Sequence, residues 1–583
     1  MQTRSEARST PKIDPISIEI QWGRLIAIMD EVDVAVIRSA FSTIVGESRD
    51  FAVVLLDRLG RSVAQSQLSS PAFTVTLPMT VRSLLESYPV ETLRPGDALI
   101  TNDPWIGSGH LPDVNIVAPV FHDGAVAGFI GCVAHVADIG GRQDFFDARD
   151  VTEEGLLIPP SRISEAGQEN DQLVRIIRAN VRVPDMVLGD IRALVGAARI
   201  GAARMDDFLH DHGGCAGFDA LVEEILNRSE AVVRAALRDV PDGEWSYRLE
   251  CDGYREPVTI AVKVTKQGQG LRVDYAGSSA QVTNASINCP FNMTVSDSVY
   301  PLKCCLAPHV PNNDGVVRPF SVTAPRGSIL RPERPSPVKS RSKTSFHLHM
   351  AIYGALAQAI PERVQAGSGS FWSVILQGRR PADGGEFNVQ ILPNGGKGAT
   401  FSQDGLPTIA FPYNGMVTPT EIVENQAPIV IAYKRLACDS GGAGRQRGGL
   451  GQDIGFRVVR DEPVTITLRP DKVRHPASGL RGGRAGAPGF FSRNGEAMSV
   501  GPVALGLGDL VEVRLPGGGG YGPPHERSVE AVVEDVARGY VSVAAALRDY
   551  GVAIDETGAA SRSGVTDEEP GATADISSTG ESR

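Results

Sequence analysis

The residues best placed to do chemistry lie between positions 102 and 142, in NDPWIGSGHLPDVNIVAPVFHDGAVAGFIGCVAHVADIGGR. This stretch holds three of the ten histidines in the chain. His110 and Asp113 are three residues apart in GHLPD, and His135 follows an apolar run in AHVADIGG. Residues 114–119 and 125–133 have the pattern of two short buried strands, joined by the turn His122-Asp123-Gly124. A hairpin returns the chain to its starting point, so His110, Asp113 and His135 can converge at one end of a sheet. Two imidazoles and a carboxylate with an open position are the ligand set of a catalytic metal, and these ligands suit Zn, Mn or Fe. Spacing alone leaves another reading open: both histidines can be core residues satisfied by backbone carbonyls, with Asp113 capping a turn. His122 sits in the hairpin turn and is expected to be solvated. Asp138 can be a ligand, a turn residue or a partner that orients His135, and the last is the reading taken here.

The elements around this stretch must position it. Asp14-Pro15 is a helix start, and apolar residues recur at helical spacing from Ile18 to Phe41. Residues 51–57 and 62–67 form two strands, so Asp50 stands at the head of a buried strand, where a carboxylate usually caps or pairs with an arginine such as Arg49 but could also swing into a metal site. A helix over 77–87 and a strand over 97–101 lead into the central stretch. An acidic loop, DVTEEGLLIPP at 150–160, follows it and carries Glu153 and Glu154, either of which could move protons. Helices are expected over 171–180, 184–209 and 218–237. Strands take over at 245–252, 258–265 and 270–275, then helices at 296–307 and 345–359. His347 and His349 point about 200° apart on a helix and are unrelated residues, not a pair facing one ligand. Residues 370–520 are mostly β.

The whole reads as an α+β protein: a large multi-domain chain with mixed β-sheets, a helical layer and a β-rich C-terminal half. Its expected parts are a disordered N-terminus at 1–13, a metal-site α/β domain with its helical layer at 14–240, and an α+β middle domain at 241–369. A β-rich domain at 370–524, C-terminal helices at 525–555 and a disordered tail at 556–583 complete it.

With 57 Lys and Arg against 69 Asp and Glu, the net charge is −12. An acidic chain without a long basic cluster is a poor binder of nucleic acid or anionic membranes. No secretory signal opens the chain, and no run of some eighteen apolar residues occurs, so the expected location is the cytoplasm. The seven cysteines form no C-x-x-C pair and suit a reducing compartment, with Cys304-Cys305 as core residues. GGAGRQRGGLGQ at 441–452 and GLRGGRAGAPG at 479–489 could be anion nests, but structural turns are the default. Neither continues into Lys-Ser/Thr, so neither is a phosphate loop, and no nucleophile elbow or dinucleotide fingerprint occurs.

A set of segments in order resembles the hydantoinase B/oxoprolinase family, whose relatives include subunits of acetone and acetophenone carboxylases. They are ESRDF (47–51), NDPWIGSGHLPD (102–113), AHVADIGG (134–141), EEGLLIPP (153–160), NVRVPDMVLGDIRA (180–193), VDYAGSS (273–279), PNNDG (311–315), SGGAGRQRGGLGQ (440–452), PGGGGYGPP (516–524) and VARGYVSVAAALRDYGV (536–552). The resemblance runs from about residue 14 to 552. It implies one divalent transition metal held by Asp50, His110, Asp113 and His135; in the mechanism read from the residues themselves, Asp138 orients His135 and Glu153 or Glu154 moves protons. It also implies a hetero-oligomer with a hydantoinase A-type subunit that holds the ATP. The implied activity is ATP-dependent hydrolysis of a cyclic amide such as a hydantoin or 5-oxoproline. The alternatives are a ketone carboxylase subunit and a non-catalytic scaffold subunit. Two stretches depart from the family pattern: residues 65–78 lack expected histidines, and VKSRSKTSFHLHM at 338–350 is basic where Gly and Glu are usual. Both could face substrate.

Because no phosphate-cradling loop follows a strand, the isolated chain should show no measurable ATP binding by calorimetry. Micromolar ATP affinity in this chain alone would contradict the division of labour.

Overall fold

The computed structural model describes residues 14–142, 147–379, 384–409, 411–555 and 557–562. The expected disordered N-terminus and most of the expected tail lie outside these residues. Within the tail, however, Ala560–Arg562 is a strand paired with Val552–Ile554.

The site belongs to a seven-stranded antiparallel sheet. Its order is Ser62–Gln65, Phe51–Asp57, Ala125–His135, Asp113–His122, Ala98–Thr101, Ser161–Glu165 and Gln168–Glu169. The apolar runs reflect burial of both faces of this sheet, which suppresses the usual alternation of apolar and polar residues. Successive side chains still point to opposite faces. Phe51, Val53, Val114, Ile116, Ile130 and Cys132 join a core with helices Pro15–Ser39 and Pro184–Asp211. Ala52, Val54, Val117, Phe129 and Val133 join a second core with helices Thr76–Ser87, Phe291–Leu306 and Leu348–Leu356.

The central hairpin is in register from Asp113↔His135 to His122↔Ala125, with one irregularity at Val120/Phe121. On its other edge, Phe51 pairs with Ala134. Asp50 accepts a hydrogen bond on its backbone oxygen from the His135 N–H at 3.0 Å. The ends of three neighbouring strands therefore bring Asp50, Asp113 and His135 to one edge of the sheet.

A four-stranded sheet follows in the order Phe320–Thr323, Gly270–Asp274, Val258–Gln267 and Gly243–Cys251, with a parallel pair at its first edge. Two further sheets of four and five strands make up the β-rich C-terminal half and enclose a core around Trp372 and Phe456. The chain is thus α+β, with mixed sheets and a helical layer, as its sequence pattern predicts. No helix among the described residues is long and apolar enough to cross a membrane.

Some local expectations change. The helix expected over 345–359 is broken into Ser342–Ser345 and Leu348–Leu356. The first helix stops at Ser39, because Ala40 is extended. His122 is not a solvated turn residue: its Nδ1 lies 2.7 Å from Asp206 and the ring is largely buried. The glycine-arginine stretches pack backbone to backbone with residues 516–522, for example Gly442 N–H to Gly518 and Gly518 N–H to Gly449. A Cβ on Gly517 would sit 1.7 Å from the Ser440 oxygen, so no side chain fits there. Their arginines pair with acids, Arg447 with Asp535 and Arg484 with Asp549, which favours structural turns over anion nests.

Asp190, fully buried on helix Pro184–Asp211, accepts the Phe41 N–H at 2.7 Å and the Ser42 N–H at 3.1 Å. It thereby ties the helical layer to the turn leading to Asp50. Asp190→Ala leaves two donors without their acceptor and should cost about 1–3 kcal/mol in urea unfolding. An unchanged midpoint would show that the tie is dispensable.

Candidate metal centre

The GHLPD loop reaches the sheet edge through a fixed scaffold. The Asn102 side chain donates to the carbonyls of Leu111 at 2.8 Å and Leu156 at 2.9 Å, and accepts from the Ile158 N–H at 2.6 Å. Gly109 has φ 88°, and a Cβ there would lie 2.6 Å from Cδ of Arg341. Glycine is needed for both the turn and the passage of that arginine.

His110, Asp113 and His135 each offer a ligand atom, all within 4.8 Å of one another, and all three are buried. His110 Nε2 is 2.6 Å from Asp113 Oδ1. His135 Nδ1 is 3.3 Å from His110 Nε2 and 3.2 Å from Asp113 Oδ1. His110 Nδ1 lies 2.9 Å from the Lys339 carbonyl oxygen, which can only accept, so that nitrogen carries the proton. In the neutral ring, Nε2 then presents a lone pair to a carboxylate oxygen.

Burial pushes His110 down to about 3, and Arg341 adds to this against the pull of Asp113. Burial alone would raise the Asp113 carboxyl, but His110 and Arg341 beside it hold it well below the usual carboxylate range. A contact of 2.6 Å between an imidazole nitrogen and a carboxylate oxygen needs a proton or a metal ion between the two atoms. The donor set therefore fits a metal, and the Nδ1–H to carbonyl bond is the usual way of orienting a ligating imidazole.

Asp113 is fixed from behind. Its Oδ2 accepts from Arg341 Nη2 at 2.7 Å, while Arg341 Nε donates to the Ser108 carbonyl at 2.6 Å. Asp50 lines the same cavity but stands outside the three-residue cluster. Burial raises its carboxyl to about 6, an effect that His135 opposes and Asp113 reinforces. The cavity has a volume of about 60 Å³, room for a few waters. Phe346, Phe371 and Tyr413 form its apolar wall, with ring centroids 4.3–5.9 Å apart.

The three acids expected to serve the chemistry lie elsewhere. Asp138 accepts from the Arg182 backbone and guanidinium, both at 2.6 Å. It lines a smaller cavity on the far side of His135. Glu153 is bound by Arg142 and Arg149. Glu154 is fully buried, and its carboxylate accepts the N–H groups of Val338 and Lys339 at 2.9–3.0 Å. It thereby holds the turn that presents the Lys339 carbonyl to His110. Sequence spacing did not single out Arg341, Lys343 or Arg469, all on the cavity wall. The signal for the first two was the basic stretch 338–350, which departs from the family pattern.

Asp50→Asn keeps the size and removes the charge. If Asp50 ligates, metal occupancy should fall, with thermal stability changing only by the loss of the metal. Elemental analysis of a variant that retains its full metal content would leave His110, Asp113 and His135 as the protein ligands.

Comparison with known proteins places this chain in a family. A protein of Pseudomonas sp. (strain NS671), provisionally named as the B component of a D-/L-hydantoinase, is 30% identical over 94% of this chain and 96% of its own length. The beta chain of the caprolactamase of Pseudomonas jessenii is 27% identical over 94% of this chain and 97% of its own. The 5-oxoprolinase 1 of Arabidopsis thaliana is 26% identical over 87% of this chain, which spans 42% of that longer protein. Among solved structures, the ATP-dependent caprolactamase from Pseudomonas jessenii matches with a TM-score of 0.87 at 28% identity, covering 94% of this chain and 98% of that one. A nucleotide-free acetone carboxylase matches with a TM-score of 0.83 at 20% identity, covering 94% of this chain and 81% of that one, and shares the fold. The model of the hydantoinase B/oxoprolinase family matches residues 14–524, and this chain belongs to that family.

Proposed function

We propose that this chain is the metal-containing subunit of an ATP-dependent cyclic-amide hydrolase, acting with a hydantoinase A-type subunit that holds the ATP. The observation that carries this reading is the convergence of His110 Nε2, Asp113 Oδ1 and His135 Nδ1 on one buried point beside a cavity. It is supported by relatives named as components of a hydantoinase and a caprolactamase and as 5-oxoprolinases, which share cyclic amides as substrates.

A ring amide resists attack because resonance makes its carbonyl a poor electrophile. Phosphorylation of the carbonyl oxygen in the partner subunit removes that resonance. When bound, the divalent metal supplies Lewis acidity, which lowers the pKa of water at the site. His110, Asp113 and His135 would hold it, and Arg341 fixes the Asp113 carboxylate from behind. Asp50, raised towards neutrality, can accept a proton from the attacking water if it is not a ligand itself. The Phe346, Phe371 and Tyr413 wall excludes bulk water and faces the ring. Glu154 and Asp138 act by positioning: Glu154 through the 338–339 amides, Asp138 through Arg182 behind His135. Glu153 organises the arginines of the neighbouring loop.

The test is co-expression with a neighbouring A-type subunit. ATP hydrolysis is then measured against hydantoin, 5-oxoproline, caprolactam and simple ketones, with and without bicarbonate. Ring amides should stimulate ATP hydrolysis and be opened without bicarbonate, and His135→Ala should reduce ring opening by at least about 100-fold. Stimulation only by a ketone together with bicarbonate would identify a carboxylase instead.

A further inference from the structure

The cavity has a second charged wall that the metal chemistry leaves without a task. Lys343 lines it and is 8% exposed. Its ammonium donates to the Pro470 carbonyl. The Asp471 carboxylate is 4.0 Å away, beyond hydrogen-bond distance. An ammonium has three protons to donate, so two remain after Pro470.

Asp471 is already engaged. His347 Nε2 lies 3.1 Å from it, and so does Nζ of Lys472, which is fully buried and also donates to Ser370 at 2.9 Å. Two buried lysines thus share one carboxylate. Burial pushes the Lys343 ammonium below its ordinary value, with Lys472 pressing the same way against Asp471 and Asp252. Arg469 and Arg49 line the same cavity. A buried ammonium whose donors are not all taken is costly unless an acceptor arrives to meet them. The neighbouring aromatic wall keeps the dielectric low, which strengthens any charge interaction made there.

We propose that Lys343 forms an oxyanion subsite for the reacting molecule. Its ligand is an oxyanion borne by that molecule: a carboxylate on the ring, or a phosphoryl group on the ring oxygen. His347 and Lys472 position the subsite by occupying Asp471, so that Lys343 keeps donors for the ligand. The proposal rests on this cavity being the reaction chamber.

The test is calorimetric titration of the full chain, metal-loaded and chelated, with inorganic phosphate, 5-oxoproline and uncharged 2-pyrrolidinone. The last two share a ring and differ in the carboxylate. At least one oxyanion should bind about tenfold or more tighter than 2-pyrrolidinone. Lys343→Gln should abolish that preference, and Lys343→Arg should restore part of it. Stronger binding of phosphate assigns the subsite to a phosphoryl group, and stronger binding of 5-oxoproline assigns it to a ring carboxylate. Equal binding of 5-oxoproline and 2-pyrrolidinone with no phosphate binding overturns the proposal, and this wild-type comparison decides even if a variant fails to fold. Anion binding that disappears with the metal and is unchanged in a folded Lys343→Gln variant also overturns it, while leaving the metal centre intact. Binding that survives chelation and requires Lys343 supports the subsite whether or not the metal reading holds.

Discussion

Much of the structure around the sheet edge serves to hold an imidazole nitrogen against a carboxylate oxygen. His110 Nε2 and Asp113 Oδ1 sit 2.6 Å apart in a buried place. A contact that short needs a proton or a metal ion between the two atoms. It is enforced from outside by the Lys339 carbonyl on one side of His110 and by Arg341 on the far oxygen of Asp113. Removing either support would let the pair relax. Breaking a buried arginine–carboxylate pair costs about 3–5 kcal/mol, and this one also sets a ligand's orientation. An imidazole and two further donors held together by the fold in this way preorganise a cation site.

The supports come from far along the chain. The turn that carries Lys339 and Arg341 is more than 200 residues from His110, and it is fastened by Glu154 through two backbone N–H groups. Glu154 therefore works at a distance, through the peptide it holds. The same turn continues to Lys343 and to the aromatic wall at Phe346. One segment of the middle of the chain thus supplies an outer brace for the metal ligands, a positive wall and an apolar wall. The sheet supplies the ligands themselves.

This division explains what the sequence made legible. The hairpin was legible because two apolar runs flank a short polar turn. The pairing of Asp113 with His135 also depends on the irregularity at Val120/Phe121, which shifts the register by one residue and which the turn does not encode. Asp50 was placed near them only by resemblance. Its approach depends on the strand Phe51–Asp57 lying beside Ala125–His135, a non-local pairing that no local pattern encodes. Arg341 was legible only as part of an unusual basic stretch, since a lone arginine has no periodic signature. His122 was misjudged because a turn residue can still be covered by a neighbouring helix, here through Asp206. The glycine-arginine stretches had the composition of anion nests, yet their glycines are required by backbone-to-backbone packing.

X-ray absorption at the metal edge of the purified, metal-loaded chain tests the central claim most directly. The account predicts a shell of nitrogen and oxygen ligands at about 2.0–2.2 Å, with the outer-shell scattering of two imidazoles and no sulfur. His110→Ala should remove half of the imidazole signal. A sulfur shell at about 2.3 Å, or a spectrum of oxygen ligands without imidazole scattering, would contradict a centre built on His110, Asp113 and His135.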